Sequence, residues 1–330
     1  MSTMQALLLS SPSGPSALAL GKATIPDPIP GFVRLRVEAV GLNPVDAGLT
    51  GGGHPDWSWP HIGGLDAAGV VDEVGEGVDG SLVGQRVAVH SDLRRDGAFA
   101  QFMLADARAL ARIPDDLTAV TAAALPCAGM TAYQCVVRRL HVAPGQTVLI
   151  TGGNGGVGGF AIQLAKAAGA RVIATASSRF DRLGELGADA TVDYRADNAF
   201  DEIRGLAGDA GIDAIIDTVS PENASREVAL LNHTGGIACV AGRATFDAVP
   251  PFGISPSIHE ISLGAAYSAG RAAHVADLST MLTDLLTRVD TGALNPQLSR
   301  VIELAHVPDA LAEIERRHVA GKIVAVVDQV

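Results

Sequence analysis

The most constraining feature of this chain is the run TVLITGGNGGVGGFAIQLAKAAGARVIATA at residues 147–176. A short β-branched stretch, TVLIT, predicts a buried strand. After the glycines, Val157, Phe160, Ala161, Leu164, Ala165 and Ala168 recur at helical spacing, with Gln163 and Lys166 on the other side and Gly169 placed to end the helix. RVIATA then predicts a second strand. A strand, a tight turn, a helix and a strand within thirty residues (147–176) is a βαβ unit, and a βαβ unit requires a parallel sheet.

Gly153, Gly155 and Gly158 form G-x-G-x-x-G at the strand-to-helix turn, with Gly156 and Val157 between them. The first glycine permits the turn, the second lets backbone N–H groups approach a pyrophosphate, and the third lets helix and strand pack closely. An ordinary glycine-rich turn is the alternative. A site for NAD places an acid after the second strand to hold the ribose hydroxyls. Here the strand runs into Ser177, Ser178 and Arg179. Two hydroxyls and a guanidinium suit a ribose 2′-phosphate, so the expected cofactor is NADPH, with a solvated helix-start arginine as the alternative for Arg179.

The rest of the chain divides in two. The first 125 residues carry short apolar or alternating runs (QALLLS, FVRLRVEAVGL, AAGVVDEVG, GQRVAV, AFAQFML) between Gly, Pro and Asp turns, as expected of a barrel-like β domain. Later runs, DAIIDTV, GGIACVAG and ISLGAAY, extend the parallel sheet. The tail predicts a helix over AHVADLSTMLTDLLTRV, a strand LSRVIEL, a helix PDALAEIERRHVAG and a strand KIVAVVD, which returns to the β domain. The expected division is 1–125 with 268–330, and 126–267. With 38 glycines and only 4% aromatic residues, the fold must rest on close backbone approach and aliphatic packing.

The landmarks AVGLNPVD, GLDAAGVVDEVGEGV, GQRVAV, GAFAQF, ALPCAGMTAY, TVLITGGNGGVG, LGADATVDYR and the terminal GKIV occur in this order across nearly the whole chain. In them the chain resembles the medium-chain dehydrogenase/reductases, and among these the zinc-free quinone oxidoreductase branch. The resemblance implies an α/β fold: a GroES-like β domain, a Rossmann domain, and a cleft where nicotinamide meets substrate. For the 2′-phosphate it implies Ser177, Arg179 and Tyr194, with Arg317 or Lys322 from the tail. Near the nicotinamide it implies Thr131 and Val157, for which helix packing is the alternative. The backbone of Val240, Gly242, Ala265 and Tyr267 would hold the carboxamide.

Zinc-dependent relatives place metal ligands where this chain has Asn43, Leu65 and Cys127, and a single thiol cannot build a three-ligand site. No metal is therefore expected, and Cys127 reads as a packing residue. His54, His61, His90 and His259 form no HxxxH or HxH pair. With the cofactor carrying the reaction, a quinone or α,β-unsaturated carbonyl fits best, since hydride addition delocalises charge onto its oxygen. Asn43 is the expected donor to that oxygen, with a turn role before Pro44 as the alternative.

Two other functions compete: a non-catalytic NADPH-binding sensor and a zinc-type alcohol dehydrogenase. The net charge of −12 disfavours nucleic acid and anionic lipid as partners. With no long apolar run, no basic residue before Lys22 and three unpaired cysteines, the expectation is a cytoplasmic protein. The resemblance adds a homodimer joined through edge strands.

Overall fold

A computed structural model describes residues 2–317 and 319–328. The chain divides into two compact units, Met1–Met130 with Leu263–Val330, and Thr131–Ser262, so each boundary falls five residues from its expected place.

The first unit is built on a seven-stranded sheet. Its order is Leu298–Glu303, Lys322–Val326, Phe32–Gly41, Asp66–Val74, Arg86–His90 and Ala111–Arg112, and Phe102–Asp106 also pairs with Phe32–Gly41. All pairs are antiparallel except Leu298–Glu303 with Lys322–Val326. A hairpin, Thr3–Leu9 with Leu18–Thr24, joins through backbone bonds such as Leu7 N–H to the Phe99 carbonyl at 2.8 Å. Phe32–Gly41 alternates as a half-buried strand must, turning Val33, Leu35 and Val37 into a core shared with Val71, Val87, Val89, Phe99 and Met103. The last strand explains how the tail belongs here: Val324, Ala325 and Val326 register against Gly41, Val40 and Ala39.

In the second unit six strands pair wholly in parallel, in the order Ala190–Asp193, Arg171–Ala176, Thr147–Thr151, Ile212–Asp217, Leu231–Cys239 and Ser257–Glu260. Numbered within the unit this is 3-2-1-4-5-6, so the winding reverses between Thr147–Thr151 and Ile212–Asp217. At such a reversal the connections leave in opposite directions and open a crevice at the carboxyl ends of the two strands. The core joins Leu149, Ile173, Ile215 and Ile237 from four strands to Ile203 and Val228.

One expected strand is displaced. The edge strand is Ser257–Glu260, in register with Gly236–Cys239, and ISLGAAY lies beyond it. Ile261 N–H adds one further bond, to the Cys239 carbonyl, and Ala265–Ser268 is a helical turn, as suits two successive alanines.

Candidate functional site

The glycine turn sits at the point of reversal. Thr151 ends the first strand with its hydroxyl on Asp217 Oδ2 at 3.0 Å, and Gly153 N–H bonds the Thr175 carbonyl at 2.9 Å. Gly155 caps the twelve-residue helix Gly156–Ala167. The glycines serve different needs. A Cβ at Gly158 would lie 2.3 Å from the Gly152 carbonyl oxygen, so packing alone forbids a side chain there. Gly155 has ordinary backbone angles, φ −70° and ψ 168°, and its Cβ would come no closer than 3.3 Å to protein. That contact is tight but not forbidding, so the fold excludes a side chain at Gly155 far less strictly than at Gly158.

A dinucleotide fits this turn. The helix Gly156–Ala167 begins directly at the turn, and a helix N-terminus is where a pyrophosphate is held. Asn154 anchors the turn to the second strand through Nδ2 to the Ser178 carbonyl, 2.6 Å, while its Oδ1 is buried with no partner. An orphaned buried acceptor calls for a donor from a ligand or water.

No carboxylate stands among residues 177–180 after the second strand; the first, Asp181, lies inside the following helix. Ser177 is half-buried, and Arg179 is exposed in the left-handed region at φ 55°, one residue before helix Phe180–Glu185. Tyr194, 56% exposed, follows the neighbouring third strand with its N–H on the Ala176 carbonyl at 3.1 Å. The structure adds Arg182, which sequence reading missed. It is half-buried, reaches the Asn154 carbonyl at 3.4 Å, and is held below its ordinary pKa by burial and by the Arg179 charge. Two guanidiniums that oppose each other beside a phosphate-type turn are relieved by an anion. The i, i+3 spacing of Arg179 and Arg182 was the available signal, masked because it also describes a solvated helix face. Val240 lies at the carboxyl end of the fifth strand, its N–H on the Asp217 carbonyl at 2.9 Å, with Gly242 two residues on; Thr131 is buried in helix Pro126–Tyr133.

Several expectations need correction. Ala265 and Tyr267 belong to the first unit and lie in a helical turn: Tyr267 N–H bonds the Gly264 carbonyl, and the Ala265 carbonyl accepts from Ala269. These groups are engaged internally and do not present an open backbone edge. Lys322 is 3% exposed, with Nζ on Asn43 Oδ1 at 2.5 Å and on the Leu42 carbonyl at 2.8 Å, so it is no phosphate ligand. Arg317 is exposed after helix Val307–Glu315 of the first unit.

Asn43, the expected donor to substrate, is also engaged. It is 1% exposed; Nδ2 donates to Asp66 Oδ2 at 2.8 Å and to the Gly41 carbonyl at 3.3 Å, while Oδ1 accepts from Lys322. Its N–H bonds Asp46 Oδ2 at 2.9 Å at the start of helix Pro44–Gly52. Around it lies a buried polar cluster. Asp66, with no exposed surface, accepts from Asn43, from Cys127 N–H at 2.9 Å and from His90 Nδ1–H at 2.7 Å. Burial, then the Asp66 charge, pushes the Asp46 carboxyl up to about 7, against the pull of Lys322. The same two causes push the Cys127 thiol up. Sequence reading did not unite these residues, although Asp66 and His90 stand directly opposite in adjacent antiparallel strands. His61 is engaged elsewhere, on Asp96 Oδ1 at 3.0 Å and stacked on Trp57.

Two family models match this chain: an alcohol dehydrogenase GroES-like domain over residues 29–115 and a zinc-binding dehydrogenase over 156–282. A quinone oxidoreductase of Sus scrofa is 30% identical over 326 residues, 97% of each chain. The chain belongs to the medium-chain dehydrogenase/reductase family, as a quinone oxidoreductase-like member. It is an oxidoreductase of the α/β class with a GroES-like domain and a Rossmann-like, nicotinamide-binding domain. Another family match is the polyketide synthase GfsB of Streptomyces halstedii, 33% identical over 90% of this chain, which spans only 5% of that protein. Among solved structures, a mycobacterial protein complexed with NADPH superposes with a TM-score of 0.84 at 28% identity, over 98% of this chain and 99% of that one.

The zinc in the family model's description can be tested on the side chains present. Asp66, His90 and Cys127 offer ligand atoms that all lie within 4.8 Å of one another. A zinc ion would need a thiolate, an unprotonated imidazole nitrogen and a free carboxylate oxygen. Here burial pushes the thiol up, toward its protonated form, and the carboxylate already accepts three donors, so the Nδ1–H bond to Asp66 leaves His90 Nε2 as the one nitrogen without a partner in the cluster. One imidazole nitrogen does not make the three-ligand site that the ion needs.

Proposed function

We propose that this protein is a zinc-independent, NADPH-dependent reductase acting on a quinone or another carbonyl conjugated to C=C. One observation carries the reading: the Gly153–Gly158 turn at the sheet's reversal lies beside Arg179 and Arg182, with no carboxylate among residues 177–180. In this reading Gly155, Gly156, Val157 and Gly158 hold the pyrophosphate, and Ser177, Arg179, Arg182 and Tyr194 hold the 2′-phosphate end. Thr131, Val240 and Gly242 serve the nicotinamide end. When bound, NADPH supplies a hydride and becomes NADP⁺.

A conjugated acceptor spreads the resulting charge onto its oxygen, so one proton donor suffices. An unactivated ketone demands stronger polarisation. The quinone oxidoreductase relative and the mycobacterial NADPH complex support this choice. The reading includes a homodimer joined at the exposed edge Ser257–Glu260 and a cytoplasmic location. Among the described residues no helix is long and apolar enough to cross a membrane.

The test is oxidation of NADPH and of NADH against a panel of quinones and enones, with elemental analysis of the purified protein. Turnover with a clear NADPH preference and no stoichiometric zinc is expected. Equal kcat/KM for the two cofactors, or zinc removed together with activity, would overturn the assignment.

A further inference from the structure

The second unit holds a buried pair of carboxyl groups at the carboxyl end of its fourth strand. Asp217 ends that strand with no exposed surface, and Glu227, 2% exposed, ends helix Pro221–Glu227. One amide spans both: Asn223 Nδ2 donates to Asp217 Oδ2 at 2.6 Å and to Glu227 Oε1 at 2.8 Å. Asp217 also accepts from the Thr151 hydroxyl at 3.0 Å and from the N–H groups of Val219 and Ser220 at 3.0 and 3.2 Å. Glu227 has the one amide donor, and its Oε2 is buried with no partner. Two carboxyl groups this close, buried and bridged by a neutral amide, cannot both be ionised. The donors on Asp217 leave the proton to Glu227, whose Oε2–H then has a carboxylate to face.

Asp217 in turn holds both walls of the crevice at the sheet's reversal. Thr151 ends the first strand directly before the glycine turn, and Val219 and Ser220 lie in the loop after the fourth strand. Thr218 of the same loop donates to the Thr151 carbonyl at 2.7 Å, and a Cβ at Gly152 would lie 2.3 Å from its hydroxyl oxygen. Loop and turn are therefore in direct contact, and the Asp217 carboxylate is bonded to both sides.

We propose that Glu227 is a positioning residue for the dinucleotide: by donating to Asp217 it keeps that carboxylate on Thr151 and on the 218–220 loop, and loss of its proton loosens the crevice and weakens binding. The inference rests on the nicotinamide-binding crevice of this unit, and on neither the 2′-phosphate assignment nor the acceptor. Burial, then the Asp217 charge, pushes the Glu227 carboxyl well up from its usual range. The other titratable groups around it are Arg226 of its own helix and Cys239 of the fifth strand, with Glu260 of the sixth beyond Cys239. Arg226 lies over the Phe200 ring, 4.7 Å from its centroid, and burial pushes the Cys239 thiol up. Among the described residues no Lys or Arg bonds either carboxyl group.

Titrations of NADPH and NADH into wild type and Glu227→Gln from about pH 7 to 9, where buried glutamates ionise, test this. The wild-type Kd for either cofactor should rise by up to about tenfold per pH unit once the carboxyl ionises. Glutamine keeps the shape of the acid and donates to Asp217 without titrating, so the variant should hold one Kd across the range. Parallel curves for wild type and variant would overturn the inference. Infrared spectra of wild type labelled with ¹³C-glutamate need neither variant nor cofactor. Glu227 is the one buried glutamate among the described residues, so a protonated glutamate band should be present at neutral pH and fade where Kd rises. Fully ionised glutamates at neutral pH would overturn the inference even if the variant failed to fold. A preference for NADH would refute the 2′-phosphate assignment and leave the pH limb intact on NADH. Binding of neither dinucleotide would remove the crevice's role and the inference with it.

Discussion

Substituting alanine separately at Gly155 and Gly158 distinguishes a glycine that the fold needs from one that a ligand needs. At Gly158 the new methyl carbon would lie 2.3 Å from the Gly152 carbonyl oxygen and 2.9 Å from Gly153 Cα, both backbone atoms that no rotamer change can move. Overpacking of this kind costs about 1–3 kcal/mol. At roughly 2–4 °C per kcal/mol for a domain of this size class, the melting temperature should fall by several degrees. At Gly155 φ is −70° and the methyl group meets one oxygen at 3.3 Å. The lost freedom of the unfolded chain, about 0.4–1 kcal/mol in favour of alanine, offsets that close contact, and the melting temperature should stay within about 2 °C of wild type. Cofactor binding should follow the opposite order of interest: the methyl at 155 occupies the face a pyrophosphate must approach, so the NADPH Kd should rise at least tenfold, about 1.4 kcal/mol. Thermal melts with and without NADPH report both quantities at once. Saturation to a hundred times Kd stabilises wild type by about 2.7 kcal/mol, and Gly155→Ala should lose most of that shift. A Gly155→Ala protein with the wild-type NADPH-induced shift would refute the claim that this glycine is bare for a dinucleotide.

Arg179→Ala and Arg182→Ala should each raise the KM for NADPH about tenfold or more, as expected for a charge-assisted phosphate contact of roughly 1.5–3 kcal/mol, and leave that for NADH nearly unchanged; equal losses for both cofactors would remove the 2′-phosphate role. Asn43→Ala should act mainly on stability, since it leaves the Asp66 carboxylate and the Lys322 ammonium each short of a buried partner. Urea unfolding should show a loss of about 1–3 kcal/mol or more, and a full-stability variant would refute the engaged-amide geometry. Glu227 is buried beside Asp217, and burial, then that charge, holds its carboxyl well above 4.5. Above that pH the unfolded chain releases the proton first, so this group makes stability fall with rising pH by about 1.4 kcal/mol per unit until the folded carboxyl ionises. Glu227→Gln keeps the shape of the protonated acid and should gain on wild type as pH rises above 4.5; parallel stability curves would contradict the raised carboxyl.

The sequence by itself determined the second unit almost completely. Phe160, Ala161, Leu164 and Ala165 are buried as their 3.6-residue spacing requires, Gly169 ends the helix at φ 83°, and Gly153, Gly155 and Gly158 lie at the turn between strand and helix. These are local properties, set by period and backbone conformation within thirty residues. The tail was legible for the same reason, with elements at Ala272–Asp290, Leu298–Glu303, Val307–Glu315 and Lys322–Val326, although the helix expected over 308–321 ends at Glu315 and His318 lies outside the described residues. What only the tertiary structure decided is which polar groups face one another. Lys322 and Asn43 are 279 residues apart and share a 2.5 Å bond. Asp66 draws His90 from 24 residues away and Cys127 from 61. Read singly, Asn43 is a free amide, Lys322 a free cation and His90 an isolated histidine. Inside a low-dielectric core each must satisfy its hydrogen bonds with whatever the sheet brings near. Strand register, and not residue type, therefore engaged Asn43 and Lys322 and left one nitrogen of His90 open.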